Sequence, residues 1–135
     1  MNKDIRWKQR FENFEKAFKL LAEIKNYHIN ELKPLDQEGF IHRFEMTFEL
    51  SWKVAKDYLD YSGHIIIQVS PRQVIKEAFS VGIIKNGKAF IEMIEARNLM
   101  SHTYDFERFA EILKKIKDNF LPAIQDFYDF FKEQL

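Results

Sequence analysis

The nine residues from Arg97 to Asp105, "RNLMSHTYD", bring a guanidinium, an amide, a hydroxyl, an imidazole and a phenol to the end of an apolar stretch, "FIEMIEA". Arginine holds a phosphate through a planar fork of N–H donors, and histidine, with an unperturbed pKa of about 6.5, exchanges protons near neutral pH. Arg97 and His102 are therefore the residues here best suited to chemistry, with Asn98, Ser101 and Tyr104 as polar neighbours and Glu45 as the acidic residue placed to support them.

The side of the helix on which these groups lie decides what they can do. At about 100° per residue, Phe90, Ile91, Met93 and Ile94 cluster on one side, and Arg97, Asn98, Ser101 and, at the edge, His102 continue it, with Tyr104 returning almost above Arg97. Polar groups on an apolar face are costly unless paired, so the pattern predicts partners, a solvent-filled cleft or a ligand. Ordinary structural roles fit the same residues. Arg97 can form a salt bridge to Glu45 or Glu49, His102 can favour a helix dipole, and Tyr104 can be a core aromatic with a bonded hydroxyl. The pattern alone leaves both readings open.

The elements that position the motif are helical. Trp7, Phe11, Phe14, Phe18 and Leu21 are spaced four, three, four and three, which predicts a helix over about 4–28. After "NELKPLDQEG", with Pro34 as punctuation and Asp36 as N-cap, a second helix over about 37–61 carries Phe40, Phe44, Phe48, Ser51, Ala55, Tyr58 and Leu59 on one side and stops at Gly63. "HIIIQV" at 64–69 lacks a partner strand and is expected to be an extended, buried connector. Ser70, Pro71 and Gln73 open a short helix to about Val81, and Gly82 and the Asn86–Gly87 turn precede a fourth helix from near Lys88. Asp105 is the expected N-cap of a last helix, with Phe109, Leu113, Ile116, Phe120, Ile124, Phe127 and Phe131 in its seam and a kink or restart at Pro122. The expectation is an all-α, antiparallel four-helix bundle with one extra short helix, a single domain over 1–135.

Composition narrows the chemistry. The 135 residues include no cysteine, which excludes thiolate metal sites and thiol nucleophiles and fits a reducing compartment. A charged N-terminus and the absence of a long apolar run predict a soluble, cytoplasmic protein without a membrane span. Lys plus Arg equals Asp plus Glu at 21 each, which disfavours a broad nucleic-acid-coating surface but not a small phosphodiester pocket. Fourteen phenylalanines, five tyrosines and two tryptophans suggest a core that continues into an interface. His28, His42 and His64 lack ligand spacing, so no metal and no cofactor is expected, and the charges Lys8, Arg10, Glu12, Glu15, Lys16 and Lys19 read as a solvated face.

"RNLMSH" resembles the Arg, polar residue and spaced His of the HEPN superfamily, and its extension to Tyr104 resembles the R-x4-H-x-Y form of HepT-like toxins. More closely, "RFEMTFELSWKVAKDYLDYSG", "SPRQVIKEAF" and "RNLMSHTYD", in that order, are similar to the nucleotidyltransferase substrate-binding protein family, a HEPN-related group, over nearly the whole chain. The resemblance implies a two-component complex with a separate small nucleotidyltransferase and a homodimer or higher homo-oligomer in which two Arg/His motifs share a cleft. It also implies attachment of AMP by the partner to the motif tyrosine, here Tyr104. Two functions follow. One is a metal-independent endoribonuclease toxin in which Arg97 holds the scissile phosphate, His102 moves protons and Asn98 orients the site; the intact motif favours it. The other, favoured by the family's name, is a non-catalytic subunit that presents an acceptor substrate or a nucleotide to the transferase.

Overall fold

A computed structural model describes residues 2–101 and 106–135, and in it the first aromatic seam forms α1, Lys3–Ala22, with Trp7, Phe11, Phe14, Phe18 and Leu21 all buried. Asn2 caps it by accepting the Asp4 N–H. The helix is shorter than the spacing predicted: it tightens into a 3-10 turn, Glu23–Asn26, and a second such turn, Ile29–Glu31, leads to the next element. That element, α2, spans Pro34–Tyr61 and begins before Asp36. Pro34 takes the first helical position, where its missing N–H is harmless and its fixed φ fits. Asp36 sits one turn in, its carboxylate accepting the Lys33 N–H at 3.3 Å. Gly63, at φ +86°, ends α2 in the left-handed conformation that glycine adopts without penalty.

α1 and α2 are antiparallel neighbours along the length of α1. Lys3 pairs with Asp60, Arg10 with Asp57, and Arg43 donates to the Leu20 carbonyl. Two charges expected on a solvated face of α1 are thus engaged: Arg10 meets an Asp57 side chain only 4% exposed, and Glu15 accepts a hydrogen bond from the Tyr128 hydroxyl. Both lie where α1 meets a neighbouring helix, a placement that local sequence does not reveal.

Ser70 caps α3, Pro71–Ser80, through the Gln73 N–H. Asn86 caps α4, Gly87–Met100, by accepting the Ala89 N–H, so the Asn86–Gly87 pair opens this helix instead of forming a separate turn. A Cβ at Gly87 would lie 3.0 Å from the Phe79 ring, which explains the glycine at this close approach. The connector 64–69 departs from expectation: Ile65 and Ile67 are 88% and 99% exposed, and only Ile66 packs partly on the core. It runs over the surface as connections generally do, because burying it would strand its backbone polar groups.

The last segment comprises α5, Phe106–Lys115, a π turn, Ile116–Phe120, and α6, Leu121–Gln134. The restart falls where Pro122 predicts it. Proline offers no N–H to the carbonyl four residues back and its ring would strike that carbonyl in a regular helix; the wider π turn makes room. Asp105, the expected cap, lies outside the described residues.

Aromatic layers join the helices. Trp7, Tyr58 and Phe131 meet edge to face or tilted at one end of the bundle, Phe14 and Phe90 flank Phe127 in the middle, and Phe44 stacks on Phe120 at 5.5 Å toward the other end. Each such pair adds about 0.5–1.5 kcal/mol beyond area burial. Most phenylalanines are buried within this core, which accounts for much of the aromatic excess without an interface. The fold is an all-helical bundle, with no strand among the described residues. Among those residues no helix is long and apolar enough to cross a membrane.

Candidate functional site

Arg97 sits one turn before the end of α4 and reaches α2, where its Nη1 donates to Oε2 of Glu49 at 3.0 Å. Its Nη2 donates to the side-chain oxygen of Asn98 at 3.3 Å. The guanidinium carbon lies 5.5 Å from the centre of the Phe48 ring, so one cationic face rests on an aromatic surface. The side chain is 26% exposed, which leaves part of the donor fork facing solvent. Its charge also suits the negative end of the α4 dipole.

Glu49 is shared. Its Oε1 lies 3.4 Å from Lys53 Nζ, one turn along α2, while Oε2 holds Arg97. Two cations thus share this one carboxylate. Partial burial pushes the Glu49 pKa up, but the Trp52 indole N–H, Lys53 and Arg97 together outweigh it and hold the carboxyl below its ordinary 4.5. The buried Trp52 Nε1 completes no hydrogen bond among the described residues, so its effect on Glu49 is that of a nearby dipole rather than of a formed bond.

The polar residues do not simply continue the apolar face of α4. That face runs on through Ala96 and Met100, both buried; Arg97 stands at its boundary, and Asn98 and Ser101 are exposed. The Ser101 hydroxyl donates back to the Arg97 carbonyl at 3.0 Å and so helps close the helix end. Glu45 is half-buried one turn before Glu49, and no ion pair to it occurs among the described residues. Of the two carboxylates open to Arg97, the crossing of α4 over α2 selects Glu49. His102 and Tyr104 lie outside the described residues. Sequence reasoning places Phe48 only in the seam of α2 and misses Trp52 and Lys53, although the i, i+3, i+4 spacing of Glu49, Trp52 and Lys53 in "ELSWK" carries the signal.

Residues 9–133 match the family described as nucleotidyltransferase substrate binding protein like. The chain belongs to this family. A curated relative, the probable ribonuclease HepT of Haemophilus influenzae, is 28% identical over 100 residues, covering 72% of this chain and 65% of the relative. The matched part thus spans slightly less than two thirds of that protein's length. A crystal structure of a Thermus thermophilus protein is similar to this chain at a TM-score of 0.69 and 28% identity, covering 89% of this chain and 93% of the other. The all-helical architecture of this family member is shared with that protein over nearly its full length.

Proposed function

We propose that this chain is a HEPN-type, toxin-like endoribonuclease that works in a two-component system with a small nucleotidyltransferase. The observation that carries the proposal is the Arg97–Glu49–Lys53 cluster: two cations share one carboxylate, at the end of the helix that leads into His102 and Tyr104. A cation whose carboxylate is shared with a second cation, and whose side chain is partly open to solvent, can take a single phosphodiester, which a neutral chain can do without coating nucleic acid. The similarity to a probable ribonuclease supports the same reading.

Cleavage needs no metal in this mechanism. The 2′-oxygen of the RNA forms a bond to phosphorus while the bond from phosphorus to the 5′-oxygen breaks. His102 takes the 2′-hydroxyl proton or delivers one to the leaving oxygen, and Arg97 stabilises the charge gathering on the phosphoryl oxygens. A homodimer supplies both roles at one cleft, with one neutral and one protonated imidazole across a two-fold axis. The partner then switches the enzyme off. The Tyr104 oxygen bonds to the α-phosphorus of ATP, pyrophosphate leaves, the phenolic proton goes to solvent, and the attached AMP brings a phosphate that competes for Arg97.

A second reading, a non-catalytic subunit that binds an acceptor or nucleotide for the transferase, is favoured by the occupation of Arg97 by Glu49 and by the family's description. Intact mass and RNA cleavage, measured with and without the nucleotidyltransferase and ATP and beside Tyr104→Phe, separate the two. Cleavage that disappears as the mass rises by AMP supports the toxin; a stable complex with neither cleavage nor mass gain supports the subunit.

A further inference from the structure

The outer seam between α1 and α2 is open. A groove of about 590 Å³ runs along it, with Ala17 and Leu20 on one wall and Met46 and Leu50 on the other, and its lining is mostly apolar. Leu20 and Met46 are 48% and 47% exposed, although both lie on helices whose opposite faces fill the core. Leu20 belongs to a second stripe of α1, Arg6, Asn13, Ala17 and Leu20 with Lys16 at its edge, distinct from the buried aromatic seam.

The charge along this groove has one sign. Lys16, His42 and Arg43 line it together with Asn13, and none of its lining residues is acidic. Arg43 is already offset by Glu23 at 3.6 Å. Lys16 and His42 are exposed and have no ion-pair partner among the described residues, and the same holds for Arg6, two turns before Asn13 on the same stripe. Glu49, next to Leu50 in the chain, is engaged by Arg97 and Lys53. A second copy laid here about a two-fold axis would bring the same basic stripe against itself, which charge repulsion opposes. The seam between two packed helices is instead shaped to receive the ridge of a third.

We infer that the α1–α2 groove docks an amphipathic helix with an apolar ridge and carboxylate-bearing flanks, contributed by the nucleotidyltransferase partner. This inference rests on the partner proposed above. Leu20, Met46 and Leu50 take the ridge, and Arg6, Lys16 and, when protonated, His42 face the acidic flanks, steering approach more than adding affinity. Leu50 directly follows Glu49, so the docked helix lies beside the turn of α2 that holds Arg97.

The test is calorimetric titration of the full chain with the nucleotidyltransferase, for wild type, Leu20→Asp/Met46→Asp and Arg6→Glu/Lys16→Glu, with circular dichroism confirming the fold. The floor variant is expected to weaken binding at least about thirty-fold, as loss of an apolar anchor does. The rim variant is expected to weaken it about three- to tenfold and to flatten its salt dependence. RNA cleavage by the free chain stays unchanged, because neither pair belongs to the Arg97 cluster. Binding of both variants as tight as wild type overturns the groove while leaving the partner in place. No complex with wild type overturns the groove and the partner together. If the floor variant converts a homo-oligomer to monomer with transferase binding intact, the groove belongs to a second copy and the inference fails.

Discussion

Arg97 of α4 and Glu49 of α2 are joined by a 3.0 Å hydrogen-bonded ion pair that ties the motif-bearing helix to the longest helix of the bundle. Glu49 both aims the guanidinium and offsets its charge, so it competes with any phosphate that Arg97 is to hold. Glu49→Gln keeps an acceptor for the N–H while removing the competing charge. The expected result is RNA affinity raised about three- to tenfold with a steeper salt dependence, since one more cation is available to the backbone. Filter binding at several salt concentrations checks it, and unchanged affinity counts against a phosphate at Arg97. Because the pair is partly exposed, its loss changes stability by no more than about 1 kcal/mol.

Arg97→Lys keeps the charge and loses the planar fork. Under the nuclease proposal it lowers cleavage at least about tenfold, and His102→Ala by about 100-fold or more, with melting temperatures close to wild type. A gel assay with purified variants decides. Cleavage retained by His102→Ala would show that the imidazole is not the proton carrier.

The Arg10–Asp57 pair is a packing device between α1 and α2. Arg10→Met leaves the Asp57 carboxylate, 4% exposed, without its cation and is expected to destabilise the protein by about 3 kcal/mol. Urea denaturation reads the loss. Arg10→Met/Asp57→Leu should recover part of it, because an apolar pair carries no desolvation cost.

Tyr128 and Glu15 predict two pH responses of opposite sign. The hydrogen bond to Glu15, with burial and the nearby carboxylates, raises the Tyr128 pKa from 10.0 to about 12. Its contribution is complete below the unfolded value and is lost as pH rises from about 10 through about 12. The same hydrogen bond is the main reason the Glu15 pKa lies below its ordinary 4.5, with Lys132 and Lys19 adding to it against the effect of burial. That contribution is present above about 4.5 and fades as pH falls through the depressed value. Tyr128→Phe is expected to abolish the late tyrosinate step in an absorbance titration and to shrink both the alkaline and the acid loss of stability.

The periodic part of this protein was determined by its sequence. The aromatic seams of α1, α2 and the last segment, the cap at Ser70, the stop at Gly63 and the restart at Pro122 follow from steric and hydrogen-bonding rules that act within a few residues. The motif and its family were legible for the same reason: they are patterns along the chain. What needed the tertiary structure was every choice between equivalent local options. Glu45 and Glu49 border the same side of α2, and only the level at which α4 crosses makes Glu49 the partner of Arg97. Arg10 and Glu15 look like their solvated neighbours until α2 and α6 pack beside them. "HIIIQV" has the composition of a buried strand, yet it spans from α2 to α3 over the surface with Ile65 and Ile67 in solvent. Side-chain chemistry sets what a residue can do, whereas burial and pairing depend on groups distant in sequence, and their positions are set by the packing of whole helices.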